Sequence, residues 1–246
     1  MNHQRAKRWT DMHHSLIKFI CAVSAAALIG GCAANCGAKI SIETSQYETD
    51  TATLYVETPV FSSMEDTDFE DELNAEYETE IREKITEFES SESGEPLSGG
   101  NKRVLEIRQE VTYNTESFIS VVTETYGYEG GAHGQSVKSA KNIDVSNGAV
   151  LELEDLFSDS DYKTVLNRLI TEIMEENPNE YSNLWEKPVI KDSSARDFCL
   201  SADGLVIFYQ PYDLSYYARG FVNFTIEYED ISGYLKDEYR AALTGA

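Results

Sequence analysis

Hydrophobic positions along the chain fall into two periods. Asp50 to Pro59 alternates, with Ala52, Leu54 and Val56 on one face and Tyr55 among polar residues on the other, the pattern of a half-buried strand ending near the proline. The stretch from Lys39 onward alternates in the same way. Phe69, Leu73, Tyr77, Ile81, Ile85 and Phe88 then recur at steps of three or four, which predicts an amphipathic helix of about five turns with an acidic outer face. Thr67-Asp68-Phe69-Glu70 has the T-x-x-E form of a capping box at its start. Ser90 to Asn101 has no apolar period and is dense in Ser and Gly, so it reads as a loop. Period two returns with Leu105, Ile107, Val111 and Tyr113 on one strand face, and continues through Phe118–Tyr126, Val137–Val145 and Val150–Leu153. Gly130-Gly131 and Asn147-Gly148 mark sharp turns, the second a strong hairpin signal.

Tyr162, Val165, Leu166, Leu169, Ile170, Ile173 and Met174 form the stripe of a second helix that Asn177-Pro178 ends. The segment from Glu180 to Asp192 is irregular, with Leu184 and Trp185 as its expected anchors. Phe198–Ser201 and Leu205–Tyr209 flank Ala202-Asp203-Gly204 as a hairpin, Phe221–Tyr228 supplies a last strand, and Ile231–Leu243 a terminal helix. Strands with helices packed against them, in no strict β-α-β alternation, give an α+β class with antiparallel sheets. The loop at 90–101 divides it into two closely associated subdomains, 39–100 and 101–246.

The N-terminus departs from this pattern. Arg5, Lys7, Arg8 and Lys18 precede an apolar run, Phe19–Ile29, too short to span a bilayer comfortably, which is the arrangement of an export signal. Ile29-Gly30-Gly31-Cys32 resembles a bacterial lipobox, which implies a signal peptide at 1–31, an acylated Cys32 and a tether at 32–38. An ordinary signal peptide cut near the same place is the alternative. On the lipobox reading the membrane is reached through the lipid anchor alone, and the body faces outward in the cell envelope. Cys36 and Cys199 then remain as a disulfide candidate, with two free thiols or an intermolecular bridge as the alternatives.

Charge narrows the partners. The 246 residues carry 20 Lys and Arg against 44 Asp and Glu, a formal charge of −24, and loss of residues 1–31 with their four basic and one acidic residue takes it to −27. Such a body repels nucleic acid and anionic lipid and steers cationic partners toward it.

His133 is the one histidine beyond the leader, and neither CxxC nor HExxH occurs, so no metal, cofactor or catalytic set is expected. His133 braces its turn through hydrogen bonds, contacts a ligand, or serves catalysis; the first reading is favoured. Asp155 is expected to cap the turn at Leu156-Phe157. Tyr209, Tyr212, Tyr216 and Tyr217 lie close together beside Arg219. Aromatic side chains and arginine are enriched at interfaces and rings also stack on sugars, so His133, Trp185, Tyr212, Tyr216, Tyr217 and Arg219 are the ligand-contact candidates.

Tyr126-Gly127-Tyr128-Glu129-Gly130-Gly131-Ala132-His133-Gly134, followed by Asn142-Ile143-Asp144 and Leu153-Glu154-Asp155-Leu156-Phe157, resembles the signature of the C-terminal domain of the anti-sigma-V factor. Phe208-Tyr209-Gln210-Pro211-Tyr212-Asp213 with Tyr217-Ala218-Arg219-Gly220 looks like the second signature of that domain. Thr58-Pro59-Val60-Phe61 and Leu73-Asn74 are similar to its companion N-terminal domain, also found ahead of some peptidoglycan deacetylases. The resemblance implies an α+β ectodomain that binds lysozyme, a strongly basic protein, in agreement with the sign of the charge here. The expected function is therefore an envelope lipoprotein acting as sensor, decoy or inhibitor toward lysozyme-like hydrolases. An enzyme acting on peptidoglycan through His133 and nearby carboxylates, and a structural accessory lipoprotein, are the alternatives.

Overall fold

In the computed structural model, which describes residues 38–91, 97–190 and 197–245, the two alternating N-terminal runs form an antiparallel pair, β1 (Lys39–Glu48) and β2 (Ala52–Ser62). Helix α1 (Thr67–Ser90) follows and buries all six residues of its expected stripe. Burial of each such side chain contributes on the order of 1.5–3 kcal/mol. At 24 residues the helix is longer than expected, about seven turns. Its cap also differs from the expected box: Asp66, not Thr67, accepts from Asp68 N and Phe69 N, and Glu70 reaches back to Met64 N at 2.9 Å.

Because α1 carries the chain back to the end where β2 began, β3 (Arg103–Asn114) pairs with β2 in parallel, which corrects the expectation of purely antiparallel sheets. β4 (Phe118–Tyr128), β5 (Gln135–Asp144) and the short β6 (Ala149–Leu151) extend the sheet as a meander, in the order β1-β2-β3-β4-β5-β6. The expected subdomain boundary near residue 100 thus falls between two paired strands of one sheet. A bulge at Thr112 shifts the β3–β4 register, so Val111 packs toward α1 while Tyr113 turns to the opposite core instead of sharing its face.

α2 (Tyr162–Glu176) precedes a second sheet of β7 (Phe198–Ser201), β8 (Gly204–Tyr209) and β9 (Val222–Ile226), antiparallel throughout. The expected terminal helix is two, α3 (Tyr228–Ile231) and α4 (Asp237–Thr244). The chain between them is drawn off to pair with the Leu156–Ser158 segment, Ser158 N donating to Tyr234 O and Lys236 N to Leu156 O. Asp155 does not open the turn there. The turn spans Leu153–Leu156, begins after Glu152, and Asp155 accepts from Glu152 N at 2.8 Å.

The layers stack as α1, six-stranded sheet, three-stranded sheet and α2. α1 covers Ile119, Val121 and Ile143 on one face, and β7 crosses the other. A fully buried polar knot joins the sheets: Ser120 Oγ donates to Asn142 Oδ1 (2.7 Å), Leu200 N donates to the same oxygen (3.1 Å), and Asn142 Nδ2 donates to Phe198 O (2.9 Å). No described helix is long and apolar enough to cross a membrane.

Candidate functional site

The loop between β4 and β5 and the segment after β8 meet at one end of the sheets. Gln210 joins them: its side-chain oxygen accepts from Lys138 N (2.9 Å) and its amide donates to Lys138 O (2.7 Å), so it pairs with β5 as a backbone would. Gln210-Pro211-Tyr212-Asp213 is a turn closed by Asp213 N donating to Gln210 O at 3.1 Å, with proline second and a positive φ third. That third position of a type II turn favours glycine, yet here it holds Tyr212 at φ +77°. The left-handed conformation costs a tyrosine on the order of 1 kcal/mol, and it aims the ring outward, more than half exposed.

Tyr212 OH lies 3.1 Å from His133 Nε2, and the imidazole stacks on the Tyr217 ring at 4.2 Å and 14°. His133 Nδ1 lies 2.6 Å from Gly134 O, which can only accept, so Nδ1 carries the proton and, in the neutral ring, Nε2 accepts from Tyr212. Gly134 sits so close to Tyr126 that a Cβ would enter the ring, which holds the histidine loop down on β4. His133 thus bonds within its own turn and also meets two tyrosines of the segment after β8.

Of the six expected contact residues, His133, Tyr212 and Tyr217 form this group, and Tyr216 is exposed beside it. Trp185 is not the anchor expected: it is exposed, tied to the segment by its backbone N–H donating to Leu214 O at 2.9 Å, while Leu184 packs against the core. Arg219 turns away, donating to Glu180 O at 2.6 Å and lying 6.0 Å over the Tyr181 ring. Tyr181 also lines a shallow cleft with Thr171, Met174, Glu175, Pro178 and Lys187. Sequence reasoning missed Gln210 and Tyr126, which place the others. Cys199 is a buried free thiol whose pKa burial pushes up, opposed by a hydrogen bond with Thr112. Cys32 and Cys36 lie outside the described residues. Among the described residues no group of three or more His, Cys, Asp or Glu is placed to hold a metal ion.

Residues 45–136 match the family described as Deacetylase PdaC, and residues 154–229 match the family described as Protein of unknown function (DUF3298). The chain pairs a PdaC-type region with a DUF3298-type region. His133 belongs to the first match and Tyr212 and Tyr217 to the second, so the aromatic group forms where the two meet. Over 139 residues the chain is 25% identical to the peptidoglycan-N-acetylmuramic acid deacetylase PdaC of Bacillus subtilis, a stretch covering 55% of this chain and 30% of that relative. A DUF3298-family crystal structure from Bacteroides fragilis superimposes with a TM-score of 0.64 at 20% identity, over 86% of this chain and 99% of the other. One from Pseudomonas aeruginosa gives 0.58 at 15%, over 81% and 95%. These likenesses establish the α+β fold.

Proposed function

We propose that the protein is a lipid-anchored binding protein of the bacterial envelope, held through Cys32, that captures a basic protein partner, with lysozyme-like cell-wall hydrolases as the leading class. One observation carries this reading: outward-facing rings gathered at one end of the sheets, Tyr212 held by His133 and Tyr217 with Tyr216 and Trp185 exposed on the same segment and the loop bonded to it, on a chain of net charge −24. Rings held in place at low entropic cost are what interface centres use, and the acidity steers a cationic partner to them. A PdaC-type region supports the envelope setting, since the matched relative is by name a peptidoglycan deacetylase. The partners of His133 among the described residues are a carbonyl and two tyrosines, an arrangement suited to ordering a surface rather than to proton transfer.

The test is retention of hen egg-white lysozyme on the immobilised protein at low and high salt, with Tyr212→Gly as the variant. Glycine suits the turn, so the fold is kept or strengthened while the ring is lost. Salt-sensitive retention that falls with Tyr212→Gly is the expected result. No retention by the wild-type protein at low salt overturns the lysozyme reading.

A further inference from the structure

The face of the six-stranded sheet turned away from α1 is only partly covered. β7 docks across it at Ser120 and Asn142, but toward the other end of the same strands the side chains point outward. One row crosses five strands in register, Gln46, Tyr55, Glu106, Tyr126 and Ser136. None of the row is buried, whereas their strand neighbours Leu54, Leu105 and Ile107 lie under α1. This is the alternation of a sheet with one face packed and one open.

The open face is acidic and aromatic together. Glu106, Glu110 and Glu124 project from it, while Glu57 accepts from Tyr55 OH and Gln109 N, and the cations Arg108 and Lys138 on the same face are both engaged. Arg108 lies over the Tyr55 ring at 4.6 Å and donates to Glu106 at 3.0 Å, while Lys138 lies over the Phe221 ring at 4.4 Å. Arg108 shows how this face holds a guanidinium, with a ring beneath and a carboxylate at the side. Tyr126 joins the face to the aromatic group, because Gly134 rests on its ring and His133, one residue earlier, stacks on Tyr217. The sheet is thus a floor and the segment after β8 a wall.

We infer that this floor seats the cationic partner, whose arginine and lysine side chains reach Glu110 and Glu124 beside the Arg108 already seated on Tyr55, while the wall grips its edge. The inference rests on the binding reading above and assigns it a surface. The outer face of α1 also carries many carboxylates, but its rings are buried in the core.

The experiment is a titration of the isotope-labelled protein with unlabelled hen egg-white lysozyme at low salt, following amide shifts. The expected shifts fall on 53–57, 104–110 and 122–128. Glu110→Gln with Glu124→Gln should weaken binding by about tenfold or more, while Glu72→Gln with Glu83→Gln, the same charge change on α1, should alter it by less than about twofold. Shifts confined to α1, or equal weakening by both pairs, overturn the floor as the seat and leave the binding reading standing. An absence of shifts anywhere overturns the binding reading, and the floor with it.

Discussion

Replacing Asn142 with leucine should be among the most damaging single changes that keep side-chain volume. In the folded protein Asn142 is fully buried and holds three partners: Ser120 Oγ, Leu200 N and Phe198 O. Leucine cannot replace any of them. Leu200 N retains Ser120 Oγ at 3.2 Å as an acceptor, but the Phe198 carbonyl loses its side-chain donor and the Ser120 hydroxyl its acceptor. Two buried groups left unpaired cost about 1–3 kcal/mol each, so the expected loss is about 2–6 kcal/mol. Ser120→Ala leaves Asn142 Oδ1 and Leu200 N bonded to each other, and should cost about 1 kcal/mol. The two changes share partners, so the double variant should depart from additivity by more than about 0.5 kcal/mol. Urea unfolding followed by far-UV circular dichroism measures all three, with an unchanged slope as the sign that stability alone has moved. Asn142→Leu within about 0.5 kcal/mol of wild type, or less damaging than Ser120→Ala, would refute the knot as the joint between the sheets.

Two further outcomes concern rings beside the site. Tyr209 OH is buried without a hydrogen-bond partner among the described residues, and burial, with Asp197 and Asp213 nearby, pushes its pKa up to about 12. The folded state therefore favours the neutral phenol, so its contribution is complete below pH 10 and is lost as pH rises from 10 toward 12. Tyr209→Phe should leave stability at pH 7 unchanged or raised by up to about 1 kcal/mol and make the alkaline loss in urea midpoint shallower; an unchanged alkaline slope contradicts this. Gly134→Ala would force a methyl into the Tyr126 ring, so a loss of about 1–3 kcal/mol is expected, with the His133 ring resonances shifted by its displacement from Tyr217. Wild-type stability with unmoved histidine resonances would count against that contact.

Elements were legible wherever one period ran long enough. The six buried positions of α1 and the stripe of α2 stood out because each helix has a single face to bury. The Ala202-Asp203-Gly204 hairpin was legible because it needs a glycine: Gly204 has φ +144°, and a Cβ there would lie 2.2 Å from Ile226 O. What the pattern could not carry was register and partnership. The bulge at Thr112 leaves the alternation of its residue types intact while reversing where Tyr113 points. The parallel β2–β3 pairing depends on where α1 returns the chain, which local periodicity does not encode. At the site, His133 and Tyr212 were named separately, but their contact spans 79 positions. Gln210 looked like an ordinary loop residue because its role is to imitate backbone across 72. Trp185 reads as an anchor because large aromatics usually are buried, whereas its loop is bonded through backbone to Leu214 and leaves the ring exposed.

The same register decides whether the chain can be divided at the loop near residue 100. Residues 101–246 would keep both matched ends of the aromatic group and the whole second sheet, yet they would lose β1, β2 and α1. Leu105, Ile107, Ile119, Val121 and Ile143, all buried against α1 and β2, would then face water. At about 1.5–3 kcal/mol each, their exposure removes on the order of 10 kcal/mol, comparable to the about 5–15 kcal/mol that holds a typical domain folded. β3 would also become an open edge along Arg103–Ile107. The fragment 101–246 is therefore expected to lack a cooperative urea transition and to aggregate, whereas residues 38–246 unfold cooperatively. A fragment 101–246 that unfolds with a sharp transition of its own would show that the second sheet and its helices supply enough burial by themselves, and that α1 serves the floor of the site more than the fold.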